Sequence, residues 1–139
     1  GGVGAIKLAC KFPELFCSVV GGGPALHDWS TLSTGRKPIA ERMFNNDQYA
    51  FRDNCPYELV KKNKDQISGK LRIRIVHGSR EKGVKRYTAK FRELLKELKI
   101  PHEFEIVEGV AHDVKKVYQL VGVKGFKFQA RSFTGGGDS

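Results

Sequence analysis

Leu71-Arg72-Ile73-Arg74-Ile75-Val76-His77-Gly78 decides the fold. Its branched apolar residues read as a β-strand, and the glycine punctuates its end. Downstream, Tyr87, Phe91, Leu94, Leu95 and Leu98 recur at spacings of four, three, one and three, so Val84 to Leu98 forms a helix with one apolar face. Ile100-Pro101 stops it, and His102 to Val107 reads as another strand. Gly109 to Asp113 is then a turn, and Val114 to Leu120 a further helix. Strand, helix, strand in this order implies a right-handed crossover. The fold class is therefore α/β, a small parallel sheet flanked by helices.

Upstream the same alternation holds. Residues 3–11 are small and apolar, as suits a helix lying close against a sheet, and Phe12-Pro13 ends it. Leu15 to Val20 reads as a buried strand closed by the turn Gly21-Gly22-Gly23-Pro24. Residues 24–69 are looser, with Pro38 to Phe44 and Pro56 to Lys64 as two short helices that begin on proline. The stretch from Gly122 to Phe133 has no clear pattern, and residues 134–139 read as a flexible tail. Arg72 and Arg74 alternate with apolar residues in one strand, as Glu103 and Glu105 do in the next. Neighbouring strands would set these charges side by side on a partly open face, fixing register and solubility more than stability.

The chain has 139 residues and a mass of 15.5 kDa, enough for one domain spanning residues 1–139, and no repeat divides it. No apolar run reaches the ~20 residues of a transmembrane helix. The opening Gly1-Gly2-Val3-Gly4 lacks the basic region and apolar stretch of a secretion signal. Cys10, Cys17 and Cys55 are an odd count with no metal-ligand spacing, which suits reduced thiols in a cytoplasmic protein and no bound metal. The net charge of +10 invites a polyanion, and a basic, non-enzymatic module for nucleic acid is the alternative reading. Against it, the cations are scattered from Lys7 to Arg131 and no aromatic residues interleave with the short run Lys61-Lys62-Asn63-Lys64. Neither a nucleic-acid partner nor a membrane is expected.

In open parallel sheets, functional residues gather beyond the carboxyl ends of the strands. Three loops qualify: Gly21 to Trp29, His77 to Gly83, and Glu108 to Asp113. The second offers an acid, Glu81, and the third a histidine, His112, in the chain order of the rear half of a Ser-His-acid triad. Read on residues alone, His112 is also a plain loop residue beside the helix cap Asp113, and Asp113 and Glu108 compete with Glu81 as its partner. His27, His77 and His102 read as ordinary surface or strand-end residues. The three glycines at 21–23 fit no G-x-G-x-x-G or Walker pattern, so no cofactor is expected.

At this point the chain resembles α/β-hydrolase-fold esterases of the feruloyl-esterase-like and esterase D-like type. The resemblance runs through Gly1 to Ala9, Phe12-Pro13-Glu14-Leu15-Phe16, His77-Gly78-Ser79-Arg80-Glu81 and Glu108-Gly109-Val110-Ala111-His112-Asp113. It covers nearly the whole chain and the C-terminal half of that family's domain. It implies hydrolysis of a small-molecule ester, with His112 as the catalytic base and Glu81 as the catalytic acid that orients it. Glu81 stands where the family usually has aspartate, its extra methylene moving the carboxylate by about 1.5 Å. Gly1 matches the last glycine of the G-x-S-x-G turn, so the nucleophilic serine would precede residue 1. Ser18, Ser30, Ser33 and Ser79 lack the glycine frame that exposes a nucleophile. The expectation is a truncated or inactive hydrolase. Its Leu15–Val20 strand would lack a neighbour and pair with a second copy as a homodimer.

Overall fold

The computed structural model describes residues 1–135; of the expected tail, residues 136–139 lie outside it. Three parallel strands stand in the order β1 (Ser18–Gly22), β2 (Arg72–Gly78) and β3 (His102–Val107). Helix α1 (Gly2–Lys11) precedes β1 through a 3₁₀ turn at Pro13–Leu15. Five short helices connect β1 to β2: α2 (Trp29–Gly35), α3 (Lys37–Phe44), α4 (Gln48–Arg52), α5 (Pro56–Lys62) and α6 (Lys64–Lys70). Helix α7 (Lys82–Glu97) joins β2 to β3, and α8 (Val114–Phe133) follows β3.

The two faces of the sheet carry different cores. Ile6 of α1, Val60 of α5 and Phe91 and Leu95 of α7 bury against Val19, Ile73 and Ile75. On the opposite face Val117 and Val121 of α8 cover Val20, Val76, Val107 and Val110. Alternation along each strand therefore divides odd-numbered from even-numbered side chains of β1 and β2.

Four expectations need correction. The first strand begins at Ser18 rather than Leu15, because Pro13 opens a 3₁₀ turn in which the Leu15 N–H donates to the Phe12 carbonyl. The glycines expected to close it are partly strand: a Cβ on Gly21 would overlap Ile6 (2.9 Å from its Cγ1), so glycine here lets α1 approach. The unassigned stretch 122–133 continues α8 through Gly122 and Gly125. A Cβ on Gly122 would crowd the Tyr118 ring at 3.1 Å, whereas one on Gly125 would make only ordinary contact with Val20 at 4.0 Å. Finally, Arg74 is not on an open face. Its side chain is 7% exposed and sits beneath α8, donating to Glu103 at 3.0 Å and to Glu105. Lys124 (2.5 Å, to Glu105) and Arg131 (3.3 Å, to Glu103) complete the cluster from α8.

The three cysteines are free, with Cys10 and Cys55 buried and Cys17 partly so. Burial pushes the Cys10 thiol up to about 12. No helix among the described residues is long and apolar enough to cross a membrane.

Several titratable groups tie stability to pH in one direction. Desolvation lowers His27 and His102. Burial works to raise Asp28 and Glu105, but Lys90 with the Thr31 and Ser30 donors holds Asp28 well below the usual carboxylate range. Lys124 and Arg74 do the same for Glu105. All four bind protons more weakly folded than unfolded, so their stabilisation is complete above the unfolded values and is lost on acidification. The midpoint of thermal unfolding should therefore fall as pH drops below about 6.5 through the histidines, and further below about 4 through the carboxylates. A midpoint that rises between pH 7 and pH 5 would contradict this assignment.

Candidate active site

The carboxyl ends of all three strands converge on one mouth. Glu81 closes the β2 loop and precedes α7; its side chain is 4% exposed. Its Oε2 accepts from the Gly78 N–H at 2.7 Å, which fixes the carboxylate under the loop. Its Oε1 meets Nδ1 of His112 from the β3 loop. A carboxylate can only accept, so this contact needs the proton on Nδ1, and in the neutral imidazole Nε2 is then the nitrogen with the free lone pair. The His112 side chain is 67% exposed, so Nε2 is reachable from outside. The pair is thus buried at its acid end and open at its base end.

The competing acids are engaged elsewhere. Asp113 caps α8 by accepting from the Lys116 N–H at 3.0 Å. Glu108 accepts from the Ser79 hydroxyl at 3.0 Å, and that hydroxyl in turn accepts from the Gly109 N–H at 2.9 Å. Ser79 is therefore a clip between the two loops and not a free hydroxyl. Of the other serines weighed as nucleophiles, Ser18 begins β1, at the end of the strand remote from Gly23. Ser30 and Ser33 lie on α2.

Two glycines missed as site residues hold the pair in place. Gly23 has φ +54°, and a Cβ there would lie 2.9 Å from Cε1 and Nδ1 of His112 and 3.0 Å from Oε1 of Glu81. The loop after β1 thus walls the pair from a third side. Gly78 is tighter. A Cβ there would overlap the Val110 carbonyl, 2.6 Å from its carbon and 2.9 Å from the Ala111 oxygen. These are backbone atoms in the loop that carries His112, which also accepts from the Arg80 N–H through Val110 at 2.9 Å. Gly78→Ala should consequently part the two loops, costing about 3 kcal/mol of stability, the upper end for an overpacked site. Urea denaturation gives the cost, and loss of the His112–Glu81 contact would show in the imidazole NMR signals of His112. An alanine variant as stable as the parent would mean that the loops can separate freely.

His77 is at a strand end, the penultimate residue of β2, but lies in the interior and not on the surface. It is 1% exposed, its ring lies tilted against that of Phe104 with centroids 5.4 Å apart, and its Nε2 has no partner. His27 is half-buried against Tyr87, at 4.3 Å between ring centroids. Neither ring hydrogen-bonds to His112 or Glu81. Among the described residues no group of three or more His, Cys, Asp or Glu gathers to hold a metal.

No protein-family model matches this chain, and no curated protein matches it. A solved structure does, that of an S-formylglutathione hydrolase from Agrobacterium tumefaciens, with a TM-score of 0.73 and 19% sequence identity. The match covers 94% of this chain and 46% of that one, so the chain spans about half the length of that structure. The fold is that of an α/β-hydrolase over the matched portion, consistent with its C-terminal half.

Proposed function

We propose that this chain supplies the acid–base half of a serine-type ester hydrolase. The reading is carried by one observation: Glu81 holds Nδ1 of His112 and leaves Nε2 open at the carboxyl end of the sheet. In the reaction, Nε2 takes the proton of a serine hydroxyl as its oxygen bonds to the ester carbonyl carbon. The Glu81 carboxylate stabilises the imidazolium so formed, which gives its proton to the departing alcohol oxygen. Water repeats the cycle on the acyl-enzyme and restores both groups. His112 is thus the general base and Glu81 its orienting acid. Ser18, Ser30, Ser33 and Ser79 are poorly placed to be that serine, since the first starts β1, the next two lie on α2 and the last is clipped to Glu108.

The isolated 139 residues should then show no hydrolysis of p-nitrophenyl acetate beyond that of their own His112→Ala variant. Fused in place of the matched segment of the Agrobacterium hydrolase, the same chain should restore hydrolysis that depends on His112. Turnover by the isolated chain that vanishes in His112→Ala but survives loss of every serine would overturn the reading. A folded, active chimera indifferent to His112→Ala would overturn it too.

A further inference from the structure

Helix α8 is apolar on two opposite sides. At about 100° per residue, Val117, Val121, Phe128 and Ser132 fall within about 60° of one another, and this side meets the sheet. Val123, Phe126, Ala130 and Phe133 fall within about 80° of one another, centred about 170° from the first group. Val123, Phe126 and Phe133 are 67%, 62% and 79% exposed. A surface helix ordinarily keeps charged or polar residues on its outward side. Here two phenylalanines stand there instead.

The charges of α8 are sorted as well. Its 20 residues include five cations and no acid. Lys124 and Arg131 are taken up by Glu105 and Glu103 of β3. Lys115, Lys116 and Lys127 have no carboxylate partner among the described residues, and the helical spacing sets them along and beside the outward stripe. Asp113, the acid just before the helix, caps its first turn.

We propose that the outward side of α8 rests on an anionic lipid surface, with Phe126 and Phe133 among the upper acyl chains and the three lysines at the phosphates. Such a surface supplies both partners the stripe lacks. It offers an apolar layer and, above it, a plane of negative charge that lysines reach while their stems stay apolar. The helix lies in this plane and does not cross it, since no helix among the described residues is long and apolar enough to span. Two apolar sides on one helix also explain why residues 122–133 show no single-face pattern in the sequence, and why no membrane is expected from it.

Other occupants fit less well. A second copy meeting α8 to α8 would bring two sets of unpaired lysines together with no acid on either helix. A hydrophobic protein groove admits a helix that can sink into it, whereas the sheet already holds the opposite side of α8. A further helix packed beside α8 on the sheet would lie about 8–10 Å to its flank and leave the outward side open.

The test mixes the 139-residue chain with sedimenting vesicles, either pure phosphatidylcholine or equal parts phosphatidylcholine and phosphatidylserine. The chain should bind the mixed vesicles about tenfold or more tightly than the neutral ones, and the difference should shrink as salt screens the headgroups. Phe126→Ser with Phe133→Ser should weaken binding to the mixed vesicles about tenfold or more. Lys116→Gln with Lys127→Gln should do the same. Both pairs change exposed side chains, so circular dichroism should match the parent. Leu15→Ser, at an exposed apolar residue of the 3₁₀ turn, should bind as the parent does. No binding at millimolar lipid overturns the proposal. So does full binding by the phenylalanine variant, since charge alone would then hold the chain to any polyanion. A dimer in lipid-free solution that Phe126→Ser abolishes also overturns it, since the stripe would then be a contact between copies.

Discussion

In the chimera with the Agrobacterium hydrolase, His112→Ala will lower kcat for p-nitrophenyl acetate by about 10⁴-fold or more. Loss of the base from a serine triad costs up to about 10⁶-fold, because its members act as one unit. Glu81→Gln should cost about 10⁴-fold despite a nearly unchanged shape, because the amide can donate where the carboxylate only accepts. It then lets the imidazole settle with its proton on Nε2, the wrong tautomer for a base. Glu81→Asp separates charge from reach. It keeps the carboxylate but withdraws it by about 1.5 Å, breaking the reach to Nδ1 unless the loop follows. Since Gly78 and Gly23 hold that loop against backbone and ring atoms, it cannot follow far. The aspartate variant should fall between glutamine and the parent. Steady-state rates of the three variants, with circular dichroism to confirm folding, decide the matter. Equal activity of Glu81→Gln and the parent would remove Glu81 from the mechanism.

The sequence showed most where periodicity and loop order are strong. The strand His102 to Val107 lies at its expected bounds, and α7 differs from expectation by two residues at its start and one at its end. The His112–Glu81 pairing was legible because both residues follow strands of a parallel sheet, whose carboxyl ends share one edge. What stayed hidden depends on contacts between distant segments. Helices α2, α4 and α6 span seven, five and seven residues, too few to show an apolar period. Their starts did carry a readable signal in two cases: Asp28 accepts from the Thr31 N–H, and Asp47 from the Tyr49 N–H. Gly21 and Gly22 misled because a glycine run reads as a turn, whereas here the missing side chain of Gly21 admits Ile6 and that of Gly2 lets α1 approach the Gly22 carbonyl. The roles of Gly23 and Gly78 could not be read locally, since the atoms they make room for lie more than thirty residues away.

Arg74→Ala will be the costliest single change to the charged face, at about 3 kcal/mol, within the range for breaking a buried pair by removing one partner. The alternating Arg and Glu residues suggested a solvated ladder worth little, but α8 changes the setting. It lies over β1 and β2 and covers the Arg74 guanidinium, leaving Glu105 only 21% exposed. Removing the arginine leaves Glu105 with Lys124 alone and opens a cavity between β2 and the helix. Arg74→Met should cost less than Arg74→Ala, because the thioether chain refills the volume even though the charge remains unmatched. The order parent, methionine, alanine in urea midpoint therefore measures packing and charge separately. Lys124→Met should cost much less, about 1 kcal/mol at most, because that ammonium is largely exposed and exposed pairs contribute little. If Lys124→Met proves as damaging as Arg74→Ala, the cluster is held together from the helix side, and α8 docks on the sheet chiefly through charge. If Arg74→Met matches the parent, the arginine's role is volume, and its two glutamates serve only to make a buried cation tolerable.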